Sequence, residues 1–179
     1  MVVVFLANGF EEIEALATVD VLRRGGLSVL TVGVGGEMIT GSHGITVKAD
    51  CADFCLPQER FEAVVLPGGL PGTTNLEASP VVQRCLDTAA ADGAWLCAIC
   101  AAPSVLGHKG LLRDKRATCY PGYEKDLCGA ILADEAVAVD DHVITARGAG
   151  VSVDFGLSIV AALVSPEKAK QLGEAMQCR

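Results

Sequence analysis

The chain has 179 residues, of which 51% are hydrophobic, and its formal net charge is −8. This length predicts a single domain, residues 1–179, with enough chain to bury a sizeable core. The acidic balance and the 4% aromatic content argue against nucleic acid or an anionic membrane surface as partner. In addition, no apolar run reaches membrane-spanning length. From charge, aromatic content and hydropathy together, we expect neither a nucleic-acid nor a membrane partner.

The first predicted element is a strand over residues 2–6, VVVFL, which is apolar throughout. A strand without alternation is typical of a central parallel strand that is covered on both faces. No basic region precedes this run and no cleavage signal follows it, so we expect no signal peptide and a cytoplasmic protein. In that reducing compartment most of the eight cysteines are expected to be free thiols.

A helix is predicted over residues 11–24, ended by Gly25 and Gly26. Its acidic first turn and basic last turn complement the helix dipole, which accounts for Glu14 and Arg24 without any function. Glu14 also begins a helix that follows the first strand, at the carboxyl edge where ligand sites of α/β sheets form. Both interpretations of Glu14 stay open at this point.

The next segment is predicted to contain a strand (27–34), a hairpin (37–40 with 45–49) and a further core strand (61–66). The loop after the last of these is PGGLPG, residues 67–72. Gly68 and Gly69 would let backbone N–H groups approach a ligand or a sulfur closely, although any sharp turn could look similar. Ser79 and Pro80 then predict a helix start, with the helix ending near Asp92.

Residues 94–106 predict a short buried strand that breaks at Cys100 and turns into a helix. Ala98 and Ala102, two positions before and after the cysteine, let strand and helix approach as in a nucleophile elbow. A helix N-terminus would favour the thiolate, so we expect the pKa of Cys100 to lie below that of a free cysteine. The alternative is that Cys100 is one more buried cysteine. Cys97 completes a C-x-x-C but lies inside the strand and is interpreted as core.

The rest of the chain predicts a strand (116–119), a hairpin (136–139 with 143–146) and two helices (151–164 and from Pro166). Alternation of strands and helices predicts an α/β fold with a doubly wound, mostly parallel sheet, helices on both faces and the hairpins as decoration at its edges. The loops carrying Glu14, Gly68–Gly69 and Cys100 would then meet at one edge. Neither phosphate-loop pattern is present and no second ligand pair accompanies the C-x-x-C, so no cofactor or metal is predicted.

Four segments together resemble the DJ-1/ThiJ branch of the DJ-1/PfpI superfamily: NGFEEIE (8–14), VVLPGG (64–69), AICAAP (98–103) and RGAG (147–150). The resemblance implies a flavodoxin-like fold and a homodimer. It implies that Cys100 is a reactive, oxidisable nucleophile and that a protonated Glu14 hydrogen-bonds its sulfur. It also implies that the amides of Gly69 and Ala101 act as oxyanion-hole donors.

This sequence departs from the family pattern at several positions. Ala101 replaces the histidine that follows the cysteine in PfpI-type peptidases, which disfavours a peptidase. Tyr120 replaces a histidine of several relatives, and because tyrosine is a poor base at neutral pH, Glu14 would carry the acid–base role. His43 replaces an arginine. Arg24 either ends its helix or lies at the dimer interface near the partner's site. Gly68, Tyr120, His43 and Arg24 are the predicted substrate-binding residues.

Two functions follow from the resemblance. One is a cofactor-free glyoxalase or protein deglycase that acts on small 2-oxoaldehydes or their adducts through the Cys100 thiolate. The other is an oxidative-stress sensor or redox-regulated chaperone, in which Cys100 is oxidised to a sulfinate without significant turnover. A third interpretation, a flavodoxin-like binding module, requires a bound flavin or nucleotide.

Overall fold

A computed structural model describes residues 1–57 and 60–178 of the chain. Its centre is a seven-stranded sheet in the order β10-β11-β7-β6-β1-β2-β5, parallel except for the edge strand β10. The strands are β1 (Val2–Leu6), β2 (Val29–Gly33), β3 (Met38–Thr40), β4 (Thr46–Lys48), β5 (Cys51–Ala52), β6 (Ala63–Leu66), β7 (Trp95–Ile99), β8 (Arg116–Ala117), β9 (Ile131–Leu132), β10 (Val137–Asp140) and β11 (Val143–Ala146). The helices are α1 (Glu12–Arg24), α2 (Gly72–Ala78), α3 (Pro80–Ala91), α4 (Pro103–His108), α5 (Ser152–Leu163) and α6 (Pro166–Ala175). This confirms the predicted doubly wound α/β fold.

Each face of the sheet carries its own hydrophobic core. Alternate residues of β1 divide between them: Val3 and Phe5 belong to the core under α2, α3 and α4, whereas Val2, Val4 and Leu6 belong to the core under α1 and α5. All five side chains are essentially inaccessible to solvent. Burial on both faces explains why this strand reads as one continuous apolar run.

Several predicted boundaries are confirmed and others are corrected. The β3–β4 hairpin is present as an antiparallel pair outside the main sheet, and the Ser79 hydroxyl caps α3 by accepting a hydrogen bond from Val82 N–H. The second hairpin is not decoration, since β11 pairs in parallel with β7 inside the main sheet and only β10 lies at the edge. Helix α2 was not predicted, because its GTTNLEA sequence begins with glycine and has no apolar periodicity.

Three strand ends bring the predicted site loops together. Strands β1, β6 and β7 are neighbours and parallel, so their carboxyl ends lie at the same edge. Gly68 C=O accepts a hydrogen bond of 2.9 Å from Glu11 N–H, which ties the loop after β6 to the start of α1. Within residues 1–57 and 60–178, no helix is both long and apolar enough to cross a membrane.

Candidate active site

Cys100 lies on a strained turn directly after β7. Its φ angle is 65°, in the left-handed region that side-chain-bearing residues rarely adopt. The backbone is held from two sides: Cys100 N–H donates to Ala146 C=O at 2.9 Å, and Cys100 C=O accepts from Tyr120 N–H at 2.8 Å. Helix α4 begins three residues later, at Pro103. The predicted elbow is therefore present.

Glu14 is the acidic partner of this cysteine. Its side chain lies on the first turn of α1 and is 1% exposed. One carboxyl oxygen, Oε2, accepts a hydrogen bond of 2.8 Å from Gly68 N–H, and the carboxyl group also hydrogen-bonds the Cys100 thiol. A Cβ atom on Gly68 would lie 2.7 Å from both Cys100 Cβ and Glu14 Oε2. This close approach requires glycine at position 68.

Two backbone amides face the sulfur, those of Gly69 and Ala101. Both lower the pKa of the Cys100 thiol, but burial and the charge of Glu14 outweigh them and raise it to about 12. The expectation of a pKa below that of a free cysteine is therefore wrong. Its reasoning considered the helix N-terminus and left out the desolvation of a half-buried sulfur beside a carboxylate.

The two groups titrate as a pair. Burial raises the pKa of Glu14 to about 7, against the opposing hydrogen bonds from Cys100 and Gly68. Between this pKa and that of the thiol, the pair holds one proton, which either the sulfur or the carboxyl group carries. When the proton is on Glu14, the carboxyl group is a donor and the sulfur is a thiolate.

Tyr120 and Gly148 border the sulfur on another side. A Cβ atom on Gly148 would lie 3.3 Å from Tyr120 Cδ2 and 3.9 Å from Cys100 Sγ. Tyr120 is half-exposed, so its ring forms part of the accessible wall beside the cysteine. Gly148 was not among the predicted site residues. Its position in a glycine loop after a strand, at the same sheet edge, was the signal that could have identified it.

His43 and Arg24 do not contact the sulfur in this chain. His43 Nδ1 lies 3.0 Å from Glu12 Oε2 and 3.5 Å from Glu11 Oε2, and its side chain is 68% exposed. Arg24 Nε pairs with Asp20 Oδ2 at 2.6 Å. Ten residues of helix separate Arg24 from Glu14, about 15 Å along the axis. A role for Arg24 in this site would require a second copy of the chain.

The other half of the C-x-x-C belongs to the core. Cys97 is 1% exposed, and burial strongly raises the pKa of its thiol. All eight cysteines are free thiols. Cys97 is thus a structural residue, as predicted, and Cys100 is the cysteine placed beside an acid and two amide donors.

A model of the DJ-1/PfpI family matches residues 1–162 of the chain, the range that contains the cysteine elbow, the buried glutamate and the glycine loop. The chain belongs to the DJ-1/PfpI family. It is 35% identical to Protein dj-1beta of Drosophila melanogaster over 176 residues, covering 97% of this chain and 94% of the relative. It is 37% identical over 164 residues to the Glutathione-independent glyoxalase DJR-1.2 of Caenorhabditis elegans, covering 90% and 87%.

Solved structures of DJ-1 proteins share the fold. Oxidized DJ-1 of Toxoplasma gondii superimposes with a TM-score of 0.95 at 31% identity, covering 99% of this chain and 97% of that one. The chain spans only 41% of Protein DJ-1 homolog B of Arabidopsis thaliana, which it matches at 34% identity over 181 residues. Membership of the DJ-1/PfpI family therefore covers nearly the whole chain, although some relatives are longer.

Proposed function

We propose that this DJ-1/PfpI protein, as one domain over residues 1–179, is a cofactor-free enzyme that converts a small 2-oxoaldehyde to a 2-hydroxy acid. The observation that carries the proposal is the buried Glu14 carboxyl group beside the Cys100 thiol, with the Gly69 and Ala101 amides facing the same sulfur. The glyoxalase name of the Caenorhabditis elegans relative supports the substrate class. The same chemistry on aldehyde adducts of proteins would be a deglycase.

The first step forms a bond between sulfur and the aldehyde carbon. With its proton on Glu14, the Cys100 thiolate adds to the aldehyde carbon of methylglyoxal, and the developing oxyanion accepts hydrogen bonds from the amides. Glu14 supplies the proton that converts this oxyanion to the hydroxyl group of a hemithioacetal. Its carboxylate is then free to act as a base.

The second step moves hydrogen within the substrate. The Glu14 carboxylate removes the proton from the former aldehyde carbon and returns it to the neighbouring ketone carbon through an enediol, while the hydroxyl proton of the hemithioacetal passes to the former ketone oxygen. The first carbon is thereby oxidised to a thioester and the second reduced to an alcohol, so no external oxidant or reductant is needed. Water then cleaves the thioester to lactate and restores the thiol with its shared proton.

The test measures lactate formed from methylglyoxal, after subtraction of the buffer- and amine-catalysed background. Cys100→Ala should abolish turnover, and Glu14→Gln should reduce it about 100-fold or more because proton transfer is lost. Cys128→Ala, which removes an exposed cysteine, is the matched control and should leave turnover unchanged. Full turnover in Cys100→Ala would contradict the proposal.

Oxidation of Cys100 is the second candidate function. A sulfinate at this position could accept hydrogen bonds from the Gly69 and Ala101 amides and from a protonated Glu14. Titration with hydrogen peroxide, followed by mass spectrometry of peptides, should add two oxygen atoms to Cys100 before Cys128 or Cys85. If exposed Cys128 is oxidised first, this redox-sensor candidate loses its basis.

A homodimer and a cytoplasmic location complete the proposal. Helix α1 exposes two apolar side chains three residues apart, Ile13 at 57% and Leu16 at 38%, which supports pairing through this helix face. Such a dimer could bring Arg24 of one copy near the site of the other. Light scattering should give twice the chain mass, and Leu16→Glu should shift it toward the monomer.

The eight free thiols support a reducing compartment.

A further inference from the structure

Four polar atoms meet beside the active site, where the start of α1 faces the tip of the β3–β4 hairpin. They are Glu11 Oε2, Glu12 Oε2, Ser42 Oγ and His43 Nδ1. Ser42 Oγ lies 3.3 Å from Glu11, 3.4 Å from Glu12 and 3.2 Å from His43. His43 Nδ1 lies 3.0 Å from Glu12 and 3.5 Å from Glu11. We call these four residues the hairpin quartet.

The spacing of the quartet fits a tetrahedral metal site as well as a hydrogen-bonded cluster. With metal–ligand bonds of 2.0–2.1 Å, the corners of a tetrahedron lie about 3.3 Å apart. Five of the six separations among the four atoms range from 3.0 to 3.5 Å around this value, and the ligand atoms of Glu11 and Glu12 lie within 4.8 Å of each other. One imidazole nitrogen and two carboxylate oxygens are a donor set suited to a first-row divalent cation, and a hydroxyl group or water completes it.

Hydrogen bonds alone serve the quartet poorly. Ser42 and His43 can each place one hydrogen between the four atoms, so two hydrogens must serve five close contacts. The carboxylates of Glu11 and Glu12 both approach Ser42 Oγ and His43 Nδ1. Among residues 1–57 and 60–178, the positively charged partner of these carboxylates is the protonated imidazole of His43, and no lysine or arginine forms an ion pair with either of them. A divalent ion at the centre would take the place of the His43 Nδ1 hydrogen and bind all four atoms together.

Backbone contacts hold the best-placed ligand in position. Glu12 is 5% exposed, and its second oxygen, Oε1, accepts hydrogen bonds from His43 N–H at 2.8 Å and Ile45 N–H at 3.3 Å. These bonds orient Oε2 toward the other three atoms, as outer-sphere contacts orient metal ligands. The imidazole of His43 extends into solvent, which leaves a path by which a metal ion could enter.

We propose that the hairpin quartet binds one divalent transition-metal ion, such as Zn²⁺, with Glu11, Glu12 and His43 as ligands. This departs from the sequence prediction of no metal, because the glutamates and the histidine are more than 30 residues apart and share no motif. The proposal concerns binding alone and does not rest on the proposed aldehyde chemistry.

Cobalt(II) is the probe, because its spectrum distinguishes nitrogen and oxygen ligands from the thiolates of this cysteine-rich chain. Titration of the metal-free protein should give visible d–d absorption for one ion per chain, without a near-ultraviolet sulfur-to-cobalt band. Added Zn²⁺ should remove the colour. Glu11→Gln and His43→Ala should each weaken binding at least about 10-fold. Glu12 is left unchanged, since it also anchors the hairpin.

Two control variants decide where the metal lies. His142→Ala removes a comparable surface histidine, whose Nδ1 lies 2.9 Å from Asp141 Oδ1, and Cys100→Ala removes the nucleophile. Both should bind cobalt as the wild type does, with circular dichroism confirming that each variant is folded. The proposal is overturned by no absorption change, by unchanged binding in His43→Ala, or by a sulfur-to-cobalt band that disappears with Cys100→Ala.

Discussion

Glu12 and Glu14 lie two residues apart on the first turn of α1, both are at most 5% exposed, and yet their pKa values move in opposite directions. Burial alone would raise both. For Glu12, hydrogen bonds from the His43 imidazole and from the N–H groups of His43 and Ile45 overcome burial and lower the pKa to about 2. For Glu14, burial prevails and the pKa rises to about 7.

The difference between the two glutamates lies in the loops that they face. The hairpin tip offers Glu12 several donors, which fixes it as a charged anchor. The Gly68 loop offers Glu14 one N–H group and a thiol. A carboxyl group with few donors retains its proton near neutral pH and can exchange it with the sulfur. Glu14 also lies much deeper in the protein than Glu12, although both side chains are almost inaccessible to solvent. Depth and the number of donors together therefore distinguish the proton carrier from the anchor.

The largest expected change in turnover comes from crowding Glu14, and crowding Glu12 in the same way provides the comparison. A Cβ atom at Gly68 would lie 2.7 Å from Glu14 Oε2, and one at Gly41 would lie 2.3 Å from Glu12 Cδ. Gly68→Ala should reduce lactate formation from methylglyoxal about 100-fold, because misplacement near 1 Å disrupts reacting groups. Gly41→Ala should leave turnover within about threefold and instead loosen the hairpin. Gly36→Ala, with open space around its Cβ, is the control. Equal losses of turnover in Gly68→Ala and Gly41→Ala would contradict the different roles assigned to Glu14 and Glu12.

The pH dependence of kcat/KM is the next test. The reactive pair holds one proton, so it forms as pH rises through the Glu14 pKa of about 7. Below that value kcat/KM should fall about tenfold per pH unit, and above it kcat/KM should level off. Glu14→Gln should lose this inflection. A wild-type profile without change between about pH 5 and 8 would contradict the shared-proton assignment.

The free energy of unfolding should depend more on the Glu12 side chain than on the Glu14 side chain. In Glu12→Gln the amide oxygen can accept from the backbone N–H groups of His43 and Ile45, but the NH₂ group then replaces Oε2, which accepts from the His43 imidazole. The variant should therefore lower the free energy of unfolding by about 1–3 kcal/mol in urea at neutral pH. Because the folded pKa of Glu12 is depressed to about 2, its contribution is complete above its ordinary pKa and is lost as pH falls. The difference between variant and wild type should therefore shrink toward pH about 2, and a constant difference would argue against a charged anchor.

The smallest change in kcat/KM is expected from substitution of Tyr120. Its ring lies beside Gly148 at the accessible side of the sulfur, while its backbone N–H holds the elbow through Cys100 C=O. Tyr120→Phe keeps both features and should leave kcat/KM within about threefold, less than 1 kcal/mol in the barrier. A loss near 100-fold would give the phenol a share of the proton transfer assigned to Glu14.

The amino-acid pattern by itself determined the layered α/β fold, the Cys100 elbow and the edge at which Glu14, Gly68 and Gly69 meet. These follow from apolar runs, small residues and glycines, all of which are local signals. It did not reveal that β11 pairs with β7, because a strand in a hairpin pattern can also pair with a distant neighbour.

Tertiary structure supplied the physical reason for the charge states. The family resemblance implied a protonated Glu14, but the helix pattern does not separate it from Glu12, and the approach of the hairpin, 31 residues away, and of the Gly68 loop, 54 residues away, does. The same holds for the raised pKa of Cys100 and for the meeting of Glu11, Glu12 and His43. Desolvation and hydrogen bonding depend on which groups surround a side chain in space, and the order of residues along the chain does not specify that.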